Sequence, residues 1–516
     1  MIKRAEDAQQ VYFTTRAEQV ADEPLVQTID EVVNRLDMTP LYACWSEKGR
    51  AFYDPSMMLK VLFFAYSEGE RHSRDIAKRI KYDVRYQYFT GSHRPSYVTI
   101  CRFRTIDVEL LAKYFVEIVS ICAELGLLDT TVLAIDGTKI KASASRRRTL
   151  LQKDWDRLTA RYKALLSSDA ASDRADIGSE AHDDHRDDSD ESQVKEVDRK
   201  SLNVRIVEAM KRLGSGEREV NLTDGDARFM KTSEGSIRPC YNGQIAVDKN
   251  QFIVAADLVN SVDDKGSLEL MIEQSQRNVT PELGSVLVDG GYNSGRNLKY
   301  IRQSGLDVYM PMGSGYPEPA DKFGRDAFVY DASEDRYRCP AGEYLHYKHR
   351  RRRNGVEIKL YRCSSKICGR CSLLSQCTTS KCKRRELCIS EVYDYEVAMK
   401  EKLNSETGRK IYARRKVMVE PVFGNMKFNL GFSRFLVRGL KKAKREFLLM
   451  CIAHNLKKMS RRWVRLTSSV TLTTALQGRI SAFLSLFLEK FNIIATWLKK
   501  SNQKTRICLL IPKTDL

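Results

Sequence analysis

The pattern of apolar and polar positions changes character near residue 125. Before it, apolar positions recur at helical spacing, as in PSMMLKVLFFAYSEG, where Gly69 provides a helix stop. Two further segments, SRDIAKRIKYDVRYQYFTG and RPSYVTICRFRTIDVELLAKYFVEIV, are basic and predict short helices. The pattern therefore predicts an all-helical N-terminal domain over residues 1–125. Its short basic helices fit either a helix-turn-helix-like module that binds DNA or a plain bundle with a solvated basic face.

From Asp129 onward the apolar runs become short and β-branched, which indicates strands. Two of these runs end in an aspartate followed by glycine, in TVLAIDG and SVLVDGG. The segment RPCYNGQIAVDKNQFIVAADLVN predicts a hairpin, with turns at Asn242-Gly243 and at Asp248 to Asn250. SLELMIEQSQRN and GRNLKYIRQ are helical in pattern. An α/β domain with a mixed sheet flanked by helices is predicted for residues 126–465.

Three segments depart from this pattern. Residues 169–198 hold twelve acidic residues against three basic ones, which is the composition of a mobile linker. Residues 335–392 form a Cys-rich segment, predicted to be an insertion in the α/β domain, with the basic run HYKHRRRRNG. Residues 466–516 have no assigned role. Their run ISAFLSLFLEKFNIIATWL is interrupted by Glu489 and Lys490, which favours an amphipathic helix over a membrane span.

The overall charge narrows the class of partner. A net charge of +20 and a pI near 9.3 favour binding to a polyanion such as nucleic acid. The N-terminal MIKRAEDAQQ has no apolar core, so no secretory signal is expected and the cytoplasm is the predicted compartment. The thirteen cysteines are odd in number and scattered, which argues against a disulfide framework.

Three acidic residues carry the candidate chemistry: Asp136, Asp289 and Glu420. Both aspartates are predicted to lie at the end of a buried strand, with a glycine turn beyond. Such an Asp-Gly pair is on its own usually only a turn. Glu420 is unusual because residues 409–465 hold seventeen Lys or Arg against two acids, the other being Glu446. A surface that only binds polyanions gains nothing from a carboxylate, so we predict a catalytic triad that binds Mg²⁺.

These motifs resemble a known family. LAIDGTKIKAS, LVDGGY and YARRKVMVEPVFGNMK, supported by TDGDARFMK and YNGQIAVD, are similar to the DDE transposases of bacterial insertion sequences, in the group with a Tyr-Arg-Glu-Lys signature. The resemblance covers roughly residues 30–460. It implies an RNase H-like catalytic core with Asp136 and Asp289 as the catalytic aspartates and Glu420 as the closing glutamate. It also implies double-stranded DNA partners, the element ends and a target, with a dimer or larger assembly on that DNA.

The resemblance further implies two Mg²⁺ ions, for which Mn²⁺ substitutes, held by the three carboxylates. Around Glu420 the spacing to Lys427 is that of the family signature. Arg415 lies five positions before Glu420, one more than the signature places it, and Lys416 takes the expected position. Pro421 predicts that Glu420 lies at a helix start or a kink.

Basic residues near Glu420 are predicted to hold the DNA backbone, the alternative being a solvated basic helix. They are Arg415, Lys416, Lys427, Arg434, Arg438, Lys442, Lys444 and Arg445. The interleaved aromatic residues, Phe423, Phe428, Phe432 and Phe435, are predicted to form a core face rather than to stack on bases.

The Cys-rich segment permits two interpretations. It contains Cys368-x2-Cys371 with further cysteines upstream, which resembles a zinc ribbon. The predicted Zn²⁺ ligands are Cys339, Cys363, Cys368 and Cys371, with Cys377 as the substitute. The alternative is a set of reduced structural thiols.

The predicted function is metal-dependent DNA cleavage and strand transfer at the ends of an insertion sequence. Two alternatives remain open. One is a DNA-binding repressor without catalytic activity, against which the three intact carboxylates argue. The other is a metal-dependent nuclease without strand transfer, which the sequence does not separate from a transposase.

Overall fold

The computed structural model describes residues 14–44, 53–91, 93–157, 159–160, 204–279, 283–312, 322–353 and 355–462. The chain divides into two compact units, Met1–Lys458 and Met459–Leu516, and the features below belong to the first. The predicted acidic linker 169–198 and the C-terminal extension 466–516 lie outside the described residues. Among the described residues, no helix has the length and apolar character needed to cross a membrane.

The described N-terminal residues are helical, as predicted. The central helix is buried on almost every side, because PSMMLKVLFFAYS is apolar all round and other helices surround it. Asp54 caps this helix by accepting the backbone N–H groups of Ser56 and Met57, and Gly69 follows its end with a φ of 80°. The helices are α1 (Arg16–Gln19), α2 (Pro24–Arg35), α3 (Thr39–Ala43), α4 (Pro55–Ser67), α5 (Ser73–Tyr82), α6 (Val84–Thr90), α7 (Tyr97–Phe103) and α8 (Val108–Glu124).

A mixed six-stranded sheet follows the helices. Its strands are β1 (Val132–Lys141), β4 (Arg228–Lys231), β5 (Ile237–Asp248), β6 (Ile253–Val259), β7 (Ser285–Val288) and β8 (Val308–Tyr309), while β2 (Thr149–Leu151) pairs only with β3 (Glu219–Asn221). The order is β4-β5-β1-β7-β8, and β6 also pairs with β5. β5 is antiparallel to β1, whereas β7 is parallel to both β1 and β8. The helices α9 (Leu268–Asn278) and α10 (Gly295–Ser304) lie between these strands in the chain, and residues 204–214 are also helical.

A second sheet contains the Cys-rich segment. Its strands are β9 (Val329–Asp331), β10 (Arg336–Arg338), β11 (Tyr344–Arg353), β12 (Val356–Arg362) and β13 (Glu386–Ser390), in the antiparallel order β13-β12-β11-β10-β9. Between β12 and β13 lie the short helices α11 (Ser365–Cys368) and α12 (Leu374–Cys377). The chain continues through α13 (Tyr393–Asn404), α14 (Glu406–Gly424), a π-helical turn (Asn425–Asn429) and helical residues 440–458.

Two predicted turns are wrong. Asn242-Gly243 lies inside β5, where Asn242 is fully buried and faces Lys139 of β1 across the ladder. The chain reverses at the other predicted turn, Asp248 to Asn250, where the Gln251 N–H donates to the Asp248 carbonyl and Gln251 adopts a φ of 65°. Asp136-Gly137 also lies inside a strand, because β1 continues its pairing with β5 as far as Lys141. In both cases pairing with a distant strand overrides the local turn preference of the dipeptide.

Arg71 ties the N-terminal helices to the C-terminal basic stretch. One of its Nη atoms lies 3.2 Å from Glu446 Oε1 and donates to the Arg434 carbonyl at 2.7 Å, while the other donates to the Gly431 carbonyl at 3.0 Å. Glu446 is only 2% exposed, and burial raises its pKa. Glu446, the second acid of the basic stretch, is therefore part of a buried structural ion pair.

Candidate active site

Two neighbouring parallel strands place Asp136 and Asp289 side by side. The register of β1 against β7 ends at the pair Ile135 and Val288, and each aspartate is the next residue of its chain. Adjacent strands lie about 4.8 Å apart. Asp289 ends its strand, as predicted, and its side chain accepts the N–H of Gly291 in a 3₁₀ turn. The apolar runs before the two aspartates thus act as a rigid base for a carboxylate pair.

Asp136 is the more enclosed of the two carboxylates. Its side chain is 22% exposed, against 49% for that of Asp289. Burial raises the pKa of Asp136 to about 6, the charges of Asp289 and Asp264 act in the same direction, and Arg415 opposes them. The Gly137 N–H also donates to Asp136 Oδ1 at 2.8 Å. This carboxylate is poorly compensated, so a cation bound beside it is favoured.

Arg415 is the cation that meets both aspartates. Its Nη2 lies 2.9 Å from Asp136 Oδ2 and 3.3 Å from Asp289 Oδ1. The Arg415 side chain is 12% exposed, so the interaction is well shielded from water. Tyr412, one helical turn earlier, donates its hydroxyl to the Val288 carbonyl at 3.3 Å and fixes this part of α14 against the end of β7. Arg415, predicted to bind DNA, is thus positioned inside the carboxylate pair.

Glu420 is on the same helix as Arg415 but on a different face. It is exposed, and at about 100° per residue it lies roughly 140° around α14 from Arg415. A compact metal site needs at least three Asp, Glu, His or Cys side chains whose ligand atoms lie within 4.8 Å of one another. Among the described residues, Glu70, His72 and Asp75 meet this criterion. Asp136, Asp289 and Glu420 do not meet that criterion as a group of three.

The helix runs continuously through Pro421, so Glu420 does not lie at a helix start. Pro421 has no N–H and leaves the carbonyl of Val417 without its helical donor. Gln251 supplies a replacement, because its side-chain Nε2 donates to the Val417 carbonyl at 2.9 Å. The turn after β5 thus compensates for a proline inside α14.

Asp264 is a residue of this site that the sequence reasoning missed. Its Oδ1 accepts from Asn242 Nδ2 at 2.6 Å, from Gln244 Nε2 at 2.8 Å and from Lys139 Nζ at 3.1 Å. Its charge contributes to the raised pKa of Asp136. Asp264 lies in the loop after β6, where no sequence spacing relates it to Asp136. The detectable signal was the row of polar residues in β5, a strand otherwise buried.

Asp264 closely approaches Gly137, which follows Asp136, and Gly291, the second glycine after Asp289. A Cβ on Gly137 would lie 2.5 Å from Gln244 Nε2 and 2.6 Å from Asp264 Oδ1. A Cβ on Gly291 would lie 3.3 Å from Asp264 Oδ2 and 3.4 Å from Asp289 Oδ2. The Asp-Gly at Asp136 is therefore a close-approach feature of a strand rather than a turn.

The donor set fits a divalent cation. Asp136, Asp289 and Asp264 offer carboxylate oxygens, which are the ligands that Mg²⁺ and Mn²⁺ prefer. In the described structure these three do not meet the 4.8 Å criterion either, so a bound cation would draw their oxygens together. The raised pKa of Asp136 indicates that one guanidinium does not compensate this negative charge. Bound Mg²⁺ would supply charge neutralisation and activation of an attacking oxygen. Arg415 would move aside to admit it.

The predicted DNA-contacting residues fall into distinct environments. Lys416, Arg434, Arg438 and Lys442 are exposed. Lys444 forms an ion pair with Asp257, and burial lowers the pKa of Lys427. Arg438, Lys442 and Arg445 line one groove with Arg104 of the N-terminal region. The Nε atom of Arg445 is buried and, among the described residues, has no hydrogen-bond acceptor. Three of the predicted DNA-contacting residues thus lie together in this groove.

The aromatic residues follow the predicted core face with one exception. Phe432 and Phe435 are fully buried and Phe423 is half-buried, but Phe428 is 84% exposed. Phe428 comes two residues after the buried Met426 in the π-helical turn, which places it on the opposite side of the helix. The prediction of a core position was wrong for Phe428.

The cluster Glu70, His72 and Asp75 lies away from the aspartates, at the start of α5. His72 and Asp75 are exposed, and Glu70 already faces Arg79 at 3.5 Å. A solvated polar helix start accounts for this group.

Comparison with known families decides the class of the protein. The family described as Transposase DDE domain matches residues 338–460, and the family described as Transposase domain (DUF772) matches residues 15–105. These two matches support a DDE transposase of the insertion-sequence type. The matched residues include Glu420 and the basic groove residues of the C-terminal stretch, and they leave Asp136 and Asp289 outside. No curated protein matches the chain.

Proposed function

We propose that the protein cuts DNA at the ends of an insertion sequence and joins the freed 3′ ends to a target strand. Asp136 and Asp289 hold the divalent cation, and Glu420 completes the set when α14 shifts and Arg415 withdraws. The observation that carries this proposal is the pair of aspartates at the ends of one parallel register. Such a centre supports in-line displacement at a phosphodiester without a covalent enzyme intermediate.

The catalytic core is, on this proposal, RNase H-like. The sheet order β6-β5-β1-β7-β8 supports this. Strand β5 is antiparallel to both β1 and β6, whereas β7 is parallel to both β1 and β8. This arrangement places the first carboxylate on the central strand and the second on its parallel neighbour. Residues 126–465 then form the catalytic domain, and the Cys-rich sheet is an insertion between β8 and α13.

DNA approaches along the basic groove between the N-terminal helices and the C-terminal stretch. Arg104, Arg438, Lys442 and Arg445 line it together with Glu446, and these four cations support binding of a phosphate backbone. Arg71 and Glu446 fix the groove walls relative to each other. Residues 1–125 then recognise the element ends, and cutting two ends requires a dimer or larger assembly on DNA.

The deciding experiment uses labelled DNA with the ends of the source element and Mg²⁺, and compares the unaltered protein with Asp289→Asn. Asp263→Asn is the matched control, because Asp263 is an exposed acid outside the site. We expect nicking and joined product from the unaltered protein and the control. The Asp289→Asn protein should bind DNA equally well and produce neither.

Each other result has one meaning. Cleavage without joined product favours the nuclease over the transposase. Specific binding without chemistry in the unaltered protein favours the inactive repressor. Equal cleavage by the Asp289→Asn protein removes Asp289 from the site.

A further inference from the structure

We propose that Asp264 is a further carboxylate of the metal centre, anchored through Oδ1 and binding the divalent cation through Oδ2 beside Asp289. This inference rests on the proposed function of the same site. It adds a ligand on a loop that neither family match covers.

The two oxygens of Asp264 have different surroundings. Oδ1 accepts three donors, from Asn242, Gln244 and Lys139. Oδ2 accepts no hydrogen bond within the described chain and borders the same space beside Gly291 as Asp289 Oδ2. A carboxylate held rigidly by one oxygen, with the other facing a second carboxylate, has the geometry of a preorganised cation ligand.

Asn242 provides an independent observation. Its side chain is fully buried, and its Oδ1 has no hydrogen-bond partner in the described residues. This oxygen lies 3.0 Å from the position of a Cβ on Gly137, where Asp264 Oδ1 and the Asp136 backbone also meet. A buried amide oxygen without a donor is rare in folded proteins, and it indicates that a cation or its bound water completes this space.

The supporting residues explain why the anchor is stiff. Gln244 accepts the buried Tyr292 hydroxyl through Oε1 while it donates to Asp264 through Nε2. Tyr292 belongs to the turn that follows Asp289, so one chain of hydrogen bonds fixes both carboxylates. Movement of either would break it.

The test measures binding of Mn²⁺ to the full-length protein without DNA, by electron paramagnetic resonance of free Mn²⁺. Asp264→Asn keeps one oxygen for Asn242 and Gln244 but presents an amide N–H₂ or a neutral oxygen to the cation. We expect Mn²⁺ affinity to fall at least about tenfold in Asp264→Asn. Asp263→Asn, changed at the exposed neighbouring position, should bind Mn²⁺ as the unaltered protein does.

Asp264→Glu tests the same point with charge retained, since it moves the carboxylate by one methylene and should also weaken Mn²⁺ binding. Circular dichroism confirms folding. Unchanged affinity in a folded Asp264 variant, together with loss in Asp289→Asn, overturns the role of Asp264 alone. Unchanged affinity in Asp136→Asn and Asp289→Asn overturns the proposed metal centre itself.

A separate observation concerns the Cys-rich sheet. Cys339, Cys363, Cys368, Cys371 and Cys377 all line one cavity, whose walls include Phe323 and Leu345. Two tight turns carry three of these thiols, because Gly342 donates to the Cys339 carbonyl and Cys371 donates to the Cys368 carbonyl. All twelve cysteines in the described chain are free thiols.

We propose that Cys339, Cys368, Cys371 and Cys377 bind Zn²⁺. Cys377 lines the same cavity as the other three members of the set. Cys363 contacts Cys368, but it is 3% exposed and fully part of the apolar core against which Cys339, Cys368 and Cys377 are only partly buried, so we assign it to packing. No three of these sulfurs lie within 4.8 Å of one another in the described structure, so binding closes the turns inward and releases the thiol protons.

The test is the metal content of the purified protein, with the absorption spectrum after Co²⁺ replacement. We expect one zinc per chain, a tetrahedral thiolate spectrum with Co²⁺, and loss of both in Cys371→Ser and Cys377→Ser. Cys382→Ser is the matched control, since Cys382 is exposed and lies outside the cavity lining. A metal-free protein without a tetrahedral Co²⁺ spectrum overturns the site, and zinc retained in Cys377→Ser but lost in Cys363→Ser overturns the ligand set.

Discussion

Arg415 and Asp136 form an ion pair at the base of the active site, with 2.9 Å between Nη2 and Oδ2. The same guanidinium nitrogen reaches Asp289, so one side chain neutralises part of both aspartates. Because a divalent cation would compete for these same oxygens, Arg415 stands in for metal in the metal-free protein. Its removal should expose the mutual repulsion of the carboxylates.

The first prediction concerns Arg415→Gln. We expect the metal-free variant to unfold at a lower temperature, by an amount that corresponds to about 1–3 kcal/mol, because two shielded carboxylates lose their cation. Mg²⁺ should then raise the melting temperature of the variant more than that of the unaltered protein. Differential scanning fluorimetry with and without Mg²⁺ measures both effects.

Arg414→Gln is the control for that measurement, since Arg414 is the exposed neighbour on the same helix. It should leave both the melting temperature and the Mg²⁺ response close to those of the unaltered protein. An equal Mg²⁺ response in both variants would separate Arg415 from the metal centre.

Gly137→Ala and Gly424→Ala should have opposite effects. A Cβ at Gly137 overlaps Gln244 and Asp264, so we expect a loss of about 1–3 kcal/mol and weaker Mn²⁺ binding. A Cβ at Gly424, at the end of α14, meets nothing within 4 Å, so this change should add about 0.5–1 kcal/mol of stability. Urea unfolding of the two variants measures the difference. Equal stabilities would show that the space beside Gly137 is freely adjustable.

A double-mutant cycle tests the contact between Gln251 and the helix at Pro421. In the unaltered protein, Gln251→Ala leaves the Val417 carbonyl without a donor and should cost about 1 kcal/mol. In a Pro421→Ala background the restored N–H can satisfy this carbonyl, so the same change should cost only a few tenths of a kcal/mol beyond its other contacts. Additive effects across the cycle would mean that the Gln251 bond does not compensate for the proline.

Asp248 gives a prediction on pH. Burial raises its pKa from 3.8 to about 6, although it accepts the N–H groups of Asp129 and Phe252. The folded state therefore binds the proton more tightly, so the contribution of Asp248 to stability is greatest at low pH and is lost as the pH rises through about 6. The total change is on the order of 3 kcal/mol.

Asp248→Asn removes this titration. The difference in unfolding free energy between the unaltered protein and the variant should shift in favour of the variant between about pH 4 and 6, the interval between the unfolded and folded pKa values of Asp248. Denaturant unfolding at a series of pH values measures the shift. A difference that does not vary with pH would assign an ordinary pKa to Asp248.

Local sequence signals predicted the elements whose causes are local. Helical spacing and Gly69 located α4. Ser294 caps the N-terminus of α10 and Gly305 ends it, as the capping preferences of these residue types predict. The apolar run before Asp289 correctly predicted a strand that ends at that carboxylate. Each of these features depends on residues within a few positions of one another.

The remaining features depend on contacts between distant residues. Asp136 lies within a strand because β5 continues to pair beyond it, and Asp264 joins the site through Asn242 and Gln244. On α14 the side chain that pairs with both aspartates is Arg415, five positions before Glu420. No spacing in the sequence encodes these relationships. The sequence therefore predicted Asp136 and Asp289 as site residues, but it did not predict the side chains that surround them.

The link from Arg71 to Glu446 has a consequence for how the protein is made. Strand β1 emerges early from the ribosome, but its Lys141 forms backbone hydrogen bonds with Ser433 and Phe435. The ion-pair partner of Arg71, Glu446, is synthesised 375 residues after it. The first carboxylate of the site therefore remains unsupported until translation is almost complete. A transcript that breaks off before Glu446 yields a chain with an uncompensated arginine and no closed site, so truncated products should be inert fragments rather than weakly active enzymes.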